Sequence, residues 1–261
     1  EDEMLWAFDI GNTTIAVGIF RGKKLVKSWK IKTDSDKTGD EYGAILLNLI
    51  QVAGLQAKTI SCAIISSVVP PLTPVIEDLC REYFGTTASV VGPGLKTGMP
   101  ILYENPLEVG ADRITAAVAA FEKYGGPAIV VDFGTATTFD AVSAKGEYLG
   151  GAIAPGIQIA AEALYLKTAR LPRIEIKKPK RAIGRTTVSS MQSGLYFGYV
   201  GLVMNTVEEI RKELGPNARV VATGGFGSQI AAELPVIEAY EPDLVLEGLR
   251  IIYERNRDAK P

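Results

Sequence analysis

Two short stretches of this sequence decide its fold: Asp9-Ile10-Gly11-Asn12-Thr13 and Asp132-Phe133-Gly134-Thr135-Ala136. Each stretch follows an apolar run and precedes two further strand-like segments. The order strand, acidic glycine turn, strand, strand therefore occurs once in each half, and this recurrence predicts a duplication. We expect an α/β protein with two related domains, residues 1–117 and 118–261, that face each other across a cleft.

The remaining elements follow from the spacing of the apolar residues. Strands are predicted where β-branched residues fill a short apolar run, and helices where apolar residues recur every three or four positions. The Gly- and Pro-rich loop Gly92–Pro106 is long, as functional or disordered loops often are. The principal predicted strands are Leu5–Ile10, Ile15–Phe20, Leu25–Ile31, Ile60–Val69, Ala88–Val91, Ala128–Phe133, Thr137–Val142, Tyr148–Ile153 and Arg219–Ala222; the principal predicted helices are Thr73–Tyr83, Ala111–Tyr124, Ile157–Lys167, Val188–Leu214 and Asp243–Tyr253.

Composition narrows the possible chemistry. The 261 residues carry a formal charge of −2, so a nucleic-acid partner is disfavoured. The densest cluster of Lys and Arg residues surrounds Pro179, and we interpret it as a solvated loop. The chain has no histidine, which removes the commonest general base and the commonest zinc ligand. Acid–base chemistry must therefore fall to Asp, Glu, Lys, Tyr or Cys.

The two cysteines indicate the cellular compartment that we expect for this protein. Cys62 and Cys80 lie in apolar patterns and are expected to be small core residues in a reducing cytoplasm. No apolar run reaches transmembrane length, so we expect no membrane partner. The acidic start Glu1-Asp2-Glu3 precedes Met4, and we expect Met4 to be the native first residue.

The first acidic turn has the features of a phosphate site. Gly11 lets the backbone approach a ligand closely, and Thr13 and Thr14 offer hydroxyl groups beside free N–H groups. Asp9, at the carboxyl end of a strand, is suited to hydrated Mg²⁺. An ordinary hairpin turn explains the first stretch equally well when it is taken alone. The second Thr-rich turn after an apolar strand favours phosphate binding, although the chain has no P-loop motif.

A third glycine motif, Thr223-Gly224-Gly225-Phe226, follows a predicted strand. Its bare backbone would allow a flat adenosine to lie against it, although a simple turn explains the two glycines as well. Together the three motifs resemble the phosphate-1, phosphate-2 and adenosine motifs of the actin/hexokinase/Hsp70 superfamily, whose domains have the ribonuclease-H-like fold.

A narrower resemblance, to the type III pantothenate kinases, runs from Leu5 to about Gly225. The matching strings are Ser66-Ser67-Val68-Val69-Pro70-Pro71, Val91-Gly92-Pro93-Gly94, Lys96-Thr97-Gly98, Tyr103-Glu104-Asn105-Pro106, Gly110-Ala111-Asp112-Arg113, Val131–Thr138, Gly150-Gly151-Ala152-Ile153 and Ser190-Met191-Gln192-Ser193-Gly194.

This resemblance implies a function: ATP-dependent phosphorylation of the primary hydroxyl of pantothenate, the first step of coenzyme A biosynthesis. It implies Asp112 as the general base, Asp132 as a ligand of a monovalent cation (K⁺ or NH₄⁺), and Mg²⁺ with ATP near Asp9. It also implies a homodimer in which Thr187 reaches a substrate site from the partner. The implied ATP-binding residues are Asp9, Ile10, Gly11, Asn12, Thr13, Thr14, Ile15, Ala16 and Thr135, and the implied pantothenate-binding residues are Tyr103, Gly110, Ala111, Asp112, Arg113 and Thr187.

Other interpretations stay open at this level. Asp112 could be a carboxylate that only stabilises the start of a helix, and Arg113 a surface charge. The nucleotide turns also suit a kinase of the same superfamily that acts on a sugar or short acid. A non-catalytic regulator is a third possibility, against which the joint presence of Asp9, Asp112 and Asp132 argues.

Overall fold

The computed structural model describes residues 4–257, and the prediction about Glu1-Asp2-Glu3 and Met4 as the native start lies partly outside them. The chain folds into two units. The first runs to Glu122 and resumes at Asp243, and the second is Lys123–Pro242.

The first unit contains a five-stranded mixed sheet. Its strands are β1 (Met4–Ile10), β2 (Thr14–Arg21), β3 (Lys24–Lys32), β4 (Ile60–Ser67) and β5 (Ala88–Val90), in the order β3-β2-β1-β4-β5. The first three form an antiparallel meander, whereas β4 and β5 add in parallel. The helices of this unit are α1 (Gly39–Val52), α2 (Leu72–Phe84), α3 (Ala111–Tyr124) and, from the chain end, α7 (Leu244–Arg257).

The second unit repeats this plan. Its strands are β6 (Ala128–Phe133), β7 (Ala136–Val142), β8 (Tyr148–Pro155), β9 (Arg219–Thr223) and β10 (Ala239–Tyr240), in the order β10-β9-β6-β7-β8. Here too three antiparallel strands are followed by two parallel ones, so the predicted duplication is confirmed. The helices are α4 (Ile157–Lys167), α5 (Thr187–Leu214) and the short α6 (Gly227–Ile230).

Local sequence explains where the main helices begin. Thr38 caps α1, because its hydroxyl accepts from the N–H of Glu41 while the Glu41 carboxylate accepts from the Thr38 N–H. Thr186 and Ser189 form an equivalent reciprocal pair at the start of α5. Gly85, at φ +63°, ends α2 in the left-handed conformation that glycine adopts at little cost.

Each sheet carries its own apolar core. In the first unit Trp6, Phe8 and Ile10 point to the face that α1 and α2 cover. In the second unit Ile129, Val131 and Phe133 pack against α5 through Tyr199 and Val203. Cys62 and Cys80 are buried in the interior of the first unit, as expected, and neither forms a disulfide with another described residue.

The last helix, α7, belongs to the first unit, whereas the sequence-based division at residue 117 assigned it to the second half. It packs on β1, β2 and β4 and meets α3 where Gly248 lies against the Thr115 carbonyl. A β-carbon on Gly248 would overlap that oxygen. Helical periodicity shows which face of α7 is apolar but not which sheet it covers, and this explains the difference.

Candidate functional site

The first acidic turn is a tight hairpin between β1 and β2. The N–H of Gly11 donates to the Thr14 carbonyl at 3.0 Å, and a β-carbon on Gly11 would lie 2.9 Å from that oxygen. Only glycine fits this position without a shift of the backbone. Asn12, Thr13 and Thr14 are exposed, so their hydroxyl, amide and N–H groups can meet a ligand.

This turn is held in place by the residue that follows β3. Thr33 donates its N–H to the Thr13 carbonyl at 3.0 Å and its hydroxyl to the Gly11 carbonyl at 2.6 Å. The carbonyl oxygens on one side of the turn are therefore satisfied within the protein. Such a preformed turn needs little reorganisation to receive an anion such as phosphate.

Asp9 lies beside this turn at the carboxyl end of β1. It is partly buried, and it pairs in register with Ala16 of β2 and Ser66 of β4. Among the described residues, no three Asp, Glu or Cys side chains are close enough to form a protein cage for a metal ion. Mg²⁺ usually binds to one or two carboxylates together with substrate phosphates and water, and a single Asp9 fits that mode.

Asp112 lies in the first turn of α3, where its carboxylate folds back toward Gly110. Oδ1 accepts from the Arg113 N–H at 2.9 Å. A β-carbon on Gly110 would lie only 2.6 Å from Oδ1, so glycine makes room for the carboxylate. Burial raises the pKa of Asp112 above its usual value, while the hydrogen bond from the Arg113 N–H and the charge of Arg113 lower it in part.

One residue links Asp112 to the first acidic turn. The N–H of Val68 donates to the carbonyl of Ile10 at 3.0 Å, which fixes Val68 at the end of β1. Its Cγ1 would lie 3.6 Å from a β-carbon at position 110. Within the first unit the fold therefore brings the Asp9 turn, Val68 and the Gly110–Asp112 segment together. Sequence reasoning used Val68 only as part of a resembling string.

The remaining predicted substrate residues occupy different places. Tyr103 is partly buried in the loop Gly92–Pro106, and Arg113 is partly buried beside Asp112. The start of that loop is fastened to α7, because Asn256 exchanges hydrogen bonds of 3.0 and 2.8 Å with the Lys96 backbone. Arg255 adds a bond to the Thr97 carbonyl at 2.5 Å. Thr187 belongs to the second unit and is exposed at the start of α5.

Three loops converge at the second acidic turn. Asp132, the penultimate residue of β6, pairs with Thr223 of β9, and the Gly224 backbone packs directly on Asp132 and Phe133. Gly224 has φ +94°, and a side chain there would overlap the Asp132 carboxylate. From the other side, Gly156 donates its N–H to the Thr135 carbonyl at 3.2 Å. The second acidic turn and the glycine motif Thr223–Phe226 are thus in contact, whereas nothing in the sequence indicated the contact of Gly156 with this turn.

A cluster of aromatic side chains packs against these loops. Tyr199 of α5 meets Phe133 and Phe226 edge to face, with ring centroids 6.1 Å apart in each pair. Its hydroxyl shares a short hydrogen bond with Thr137, and burial raises its pKa to about 12. Tyr199 therefore stays neutral near pH 7 and acts as a structural support.

A cavity of about 430 Å³ opens beside Phe226. Its walls are α4, the segment 173–176, Phe226 and Gln229. The guanidinium of Arg173 lies over the Tyr165 ring, 4.8 Å from its centroid. Gln158 and Gln229 contribute amide groups to the lining. The cavity is of a size that holds a small organic ligand. Its side chains were not predicted, since their contacts arise only in the folded chain.

Comparison with known proteins places these features in one family. The family model for type III pantothenate kinases matches residues 5–209. A type III pantothenate kinase of Geobacter sulfurreducens is 56% identical over 255 residues, which cover 98% of this chain and all of the relative. The corresponding enzyme of Moorella thermoacetica is 54% identical over 253 residues, 97% of this chain and all of the relative.

Solved structures of other proteins have the same fold as this chain. A candidate Baf family transcriptional activator of Campylobacter jejuni has a TM-score of 0.62 at 18% identity, with 97% of this chain and 99% of that chain covered. The ethanolamine utilization protein EutJ of Carboxydothermus hydrogenoformans has a TM-score of 0.56 at 13% identity, with 97% and 90% covered. At these identities the similarity shows a shared fold and nothing about activity.

Proposed function

The chain belongs to the type III pantothenate kinase family, and from this premise we propose that Asp112 is the general base in pantothenate phosphorylation. As a pantothenate kinase, the protein transfers a phosphoryl group from ATP to pantothenate for coenzyme A synthesis. In the proposed step the Asp112 carboxylate accepts the proton of the primary hydroxyl while that oxygen attacks the γ-phosphorus. The products are 4′-phosphopantothenate and ADP.

The observation that carries this proposal is the environment of the Asp112 carboxylate. Burial at the start of α3 raises its pKa, and a higher pKa makes a carboxylate a stronger proton acceptor. The hydrogen bond from the Arg113 N–H fixes Oδ1, and in the proposed complex Oδ2 meets the substrate hydroxyl. A positioned aspartate is also the usual base in kinases that phosphorylate an alcohol.

Pantothenate binding is proposed for residues that flank Asp112 in the chain, together with Tyr103 and Thr187. Arg113 supplies a planar cation for polar substrate oxygens, and Tyr103 supplies a phenolic hydroxyl. Gly110 and Ala111 would contribute backbone groups. Thr187 is proposed to act in a homodimer, which is supported by an exposed stripe of α5 where the β-carbons of Gly194, Gly198 and Gly201 would meet no atoms.

In the first unit, the Asp9 turn is proposed to bind ATP phosphates with Mg²⁺. The exposed residues Asn12, Thr13 and Thr14 can offer side chains and N–H groups, and the bare Gly11 backbone permits close approach. Ile10 and Ile15 are fully buried, so any contact from them is through the backbone, as we expect for Ala16. Asp9 would hold the Mg²⁺ shell, and the ion would neutralise charge on the phosphates.

In the second unit, Thr135 is proposed as a phosphate contact and Asp132 as a ligand of K⁺ or NH₄⁺. The contact between the Thr135 turn, Gly156 and Gly224 supports one nucleotide site there. The adenosine would lie along Gly224–Phe226 toward the cavity by Tyr165 and Arg173. A cytoplasmic location fits this metabolic role and the two buried cysteines, which form no disulfide with a described residue.

A substrate panel with coupled ADP detection tests the proposal. ADP release should depend on pantothenate, rise with added K⁺ or NH₄⁺, and be absent with sugars and short hydroxy acids. Mass spectrometry should identify the phosphorylated product. Turnover of a sugar without turnover of pantothenate would overturn the substrate assignment, and turnover that ignores monovalent cations would overturn the role of Asp132.

A further inference from the structure

One buried hydroxyl beside the Asp9 turn has no hydrogen-bond partner in the part of the chain that the structure describes. The side chain of Ser66 is fully buried, and among residues 4–257 its Oγ makes no hydrogen bond. A buried hydroxyl that is left unsatisfied destabilises the folded state, so such a group calls for an explanation. The neighbouring Ser67 differs, since its hydroxyl bonds to the Val69 carbonyl and accepts from Thr73 at 2.8 Å.

The position of Ser66 in the sheet suggests what it serves. Ser66 is the penultimate residue of β4 and lies directly opposite Asp9 of the parallel strand β1, so the two side chains project from the same face of the sheet. Ser67 is opposite Ile10 and projects from the other face, toward the apolar core. Two residues further along, Val68 bonds to Ile10 and approaches Gly110. Ser66 therefore lies at the junction of the Asp9 turn and the segment that carries Asp112.

We propose that Ser66 is a positioning residue for Asp9, its hydroxyl donating to the Asp9 carboxylate when the divalent cation and nucleotide are bound. A hydroxyl donor fixes one carboxylate oxygen and so directs the other toward the hydrated ion. This inference rests on the proposed role of Asp9 in the Mg²⁺–ATP site. Its chemistry needs no further group, because serine is a neutral donor that adds no charge beside the phosphates.

The test separates metal positioning from a structural role by means of two adjacent serines. Binding of Mn²⁺ with ATP is measured by calorimetry, alongside the thermal midpoint of each free protein. Ser66→Ala should weaken Mn²⁺–ATP binding about tenfold, as expected for loss of one hydrogen bond to a charged group. It should keep or raise the thermal midpoint, because it removes an unsatisfied hydroxyl. Ser67→Ala should lower the midpoint and leave Mn²⁺–ATP affinity unchanged.

Two further variants complete the design. Ser66→Cys keeps the size of the side chain but has only a weak donor, so it should also lose affinity; it serves in place of Ser66→Ala if that variant does not fold. Asp9→Asn should lose most Mn²⁺-dependent affinity. If Asp9→Asn lost affinity for Mn²⁺–ATP while both Ser66 variants kept the wild-type affinity, the role of Ser66 alone would be overturned. Wild-type affinity in Asp9→Asn would overturn the proposed Asp9 site and this inference with it.

Discussion

Substitution of Gly110 by alanine should slow catalysis although it replaces no group that takes part in the proposed reaction. The new β-carbon would lie 2.6 Å from Oδ1 of Asp112, well inside ordinary van der Waals contact, which begins near 3.4 Å. The carboxylate must therefore retreat by about 0.8 Å. A misplacement of about 1 Å in a catalytic group can lower the rate about 100-fold, so we expect kcat to fall roughly 10- to 100-fold. The carboxylate is the end of a rotatable side chain, and the protein should still fold.

The assay is steady-state ADP release with pantothenate varied at saturating ATP and K⁺. KM for ATP should stay near the wild-type value, since the Asp9 turn is unaltered. Gly92→Ala is the matched control, because a β-carbon at that position in the same unit meets no atom within 4 Å. If Gly110→Ala kept wild-type kcat while Asp112→Asn was inactive, the geometric reasoning about Oδ1 would be refuted.

Three further predictions concern the same region. Asp112→Asn should lower kcat about 10²–10⁴-fold while ATP binding, measured by calorimetry, persists; near-normal turnover would remove Asp112 as the base. Burial raises the pKa of Asp112 in the folded state, so the folded protein is more stable with the carboxyl group protonated than with it ionised. This contribution to stability is present at acid pH and is lost as pH rises through the folded-state pKa. Asp112→Asn should therefore raise the thermal midpoint at pH 7 and lose that advantage at low pH, and an equal or lower midpoint at pH 7 would contradict the burial argument. Gly248→Ala should lower the unfolding free energy by about 1–3 kcal/mol in urea titration, because its β-carbon would overlap the Thr115 carbonyl; an unchanged midpoint would show that α3 and α7 can separate freely.

The duplication could be predicted because it rests on local signals. An apolar run that ends in Asp and a glycine turn specifies a strand and its exit, and the structure has β1 and β6 at these two places. The predicted long helix at Val188–Leu214 is also present, as α5 from Thr187. Such elements are encoded within a few residues, so a single sequence reveals them.

The contacts that shape the candidate site are non-local, and this is why they were missed. Gly156 meets the Thr135 turn and Gly224 meets Asp132 only after three separated segments have folded together. The placement of α7 on the first sheet likewise depends on Gly248 and Thr115, which are far apart in the chain. A glycine chosen for close approach looks, in sequence, the same as one chosen for a turn.

The position of Asp112 follows from a chain of such close approaches rather than from one motif. Gly248 lets α7 reach the Thr115 carbonyl, and that contact fixes the axis of α3. Gly110 then leaves space for the carboxylate at the start of the helix, while Val68 ties this start to the end of β1. At each of these positions either a glycine leaves room for a neighbouring group or a side chain fills the space between two segments. The carboxylate is held where burial raises its pKa, and the stability lost to a buried charge is the physical cost of the stronger base that we propose Asp112 to be.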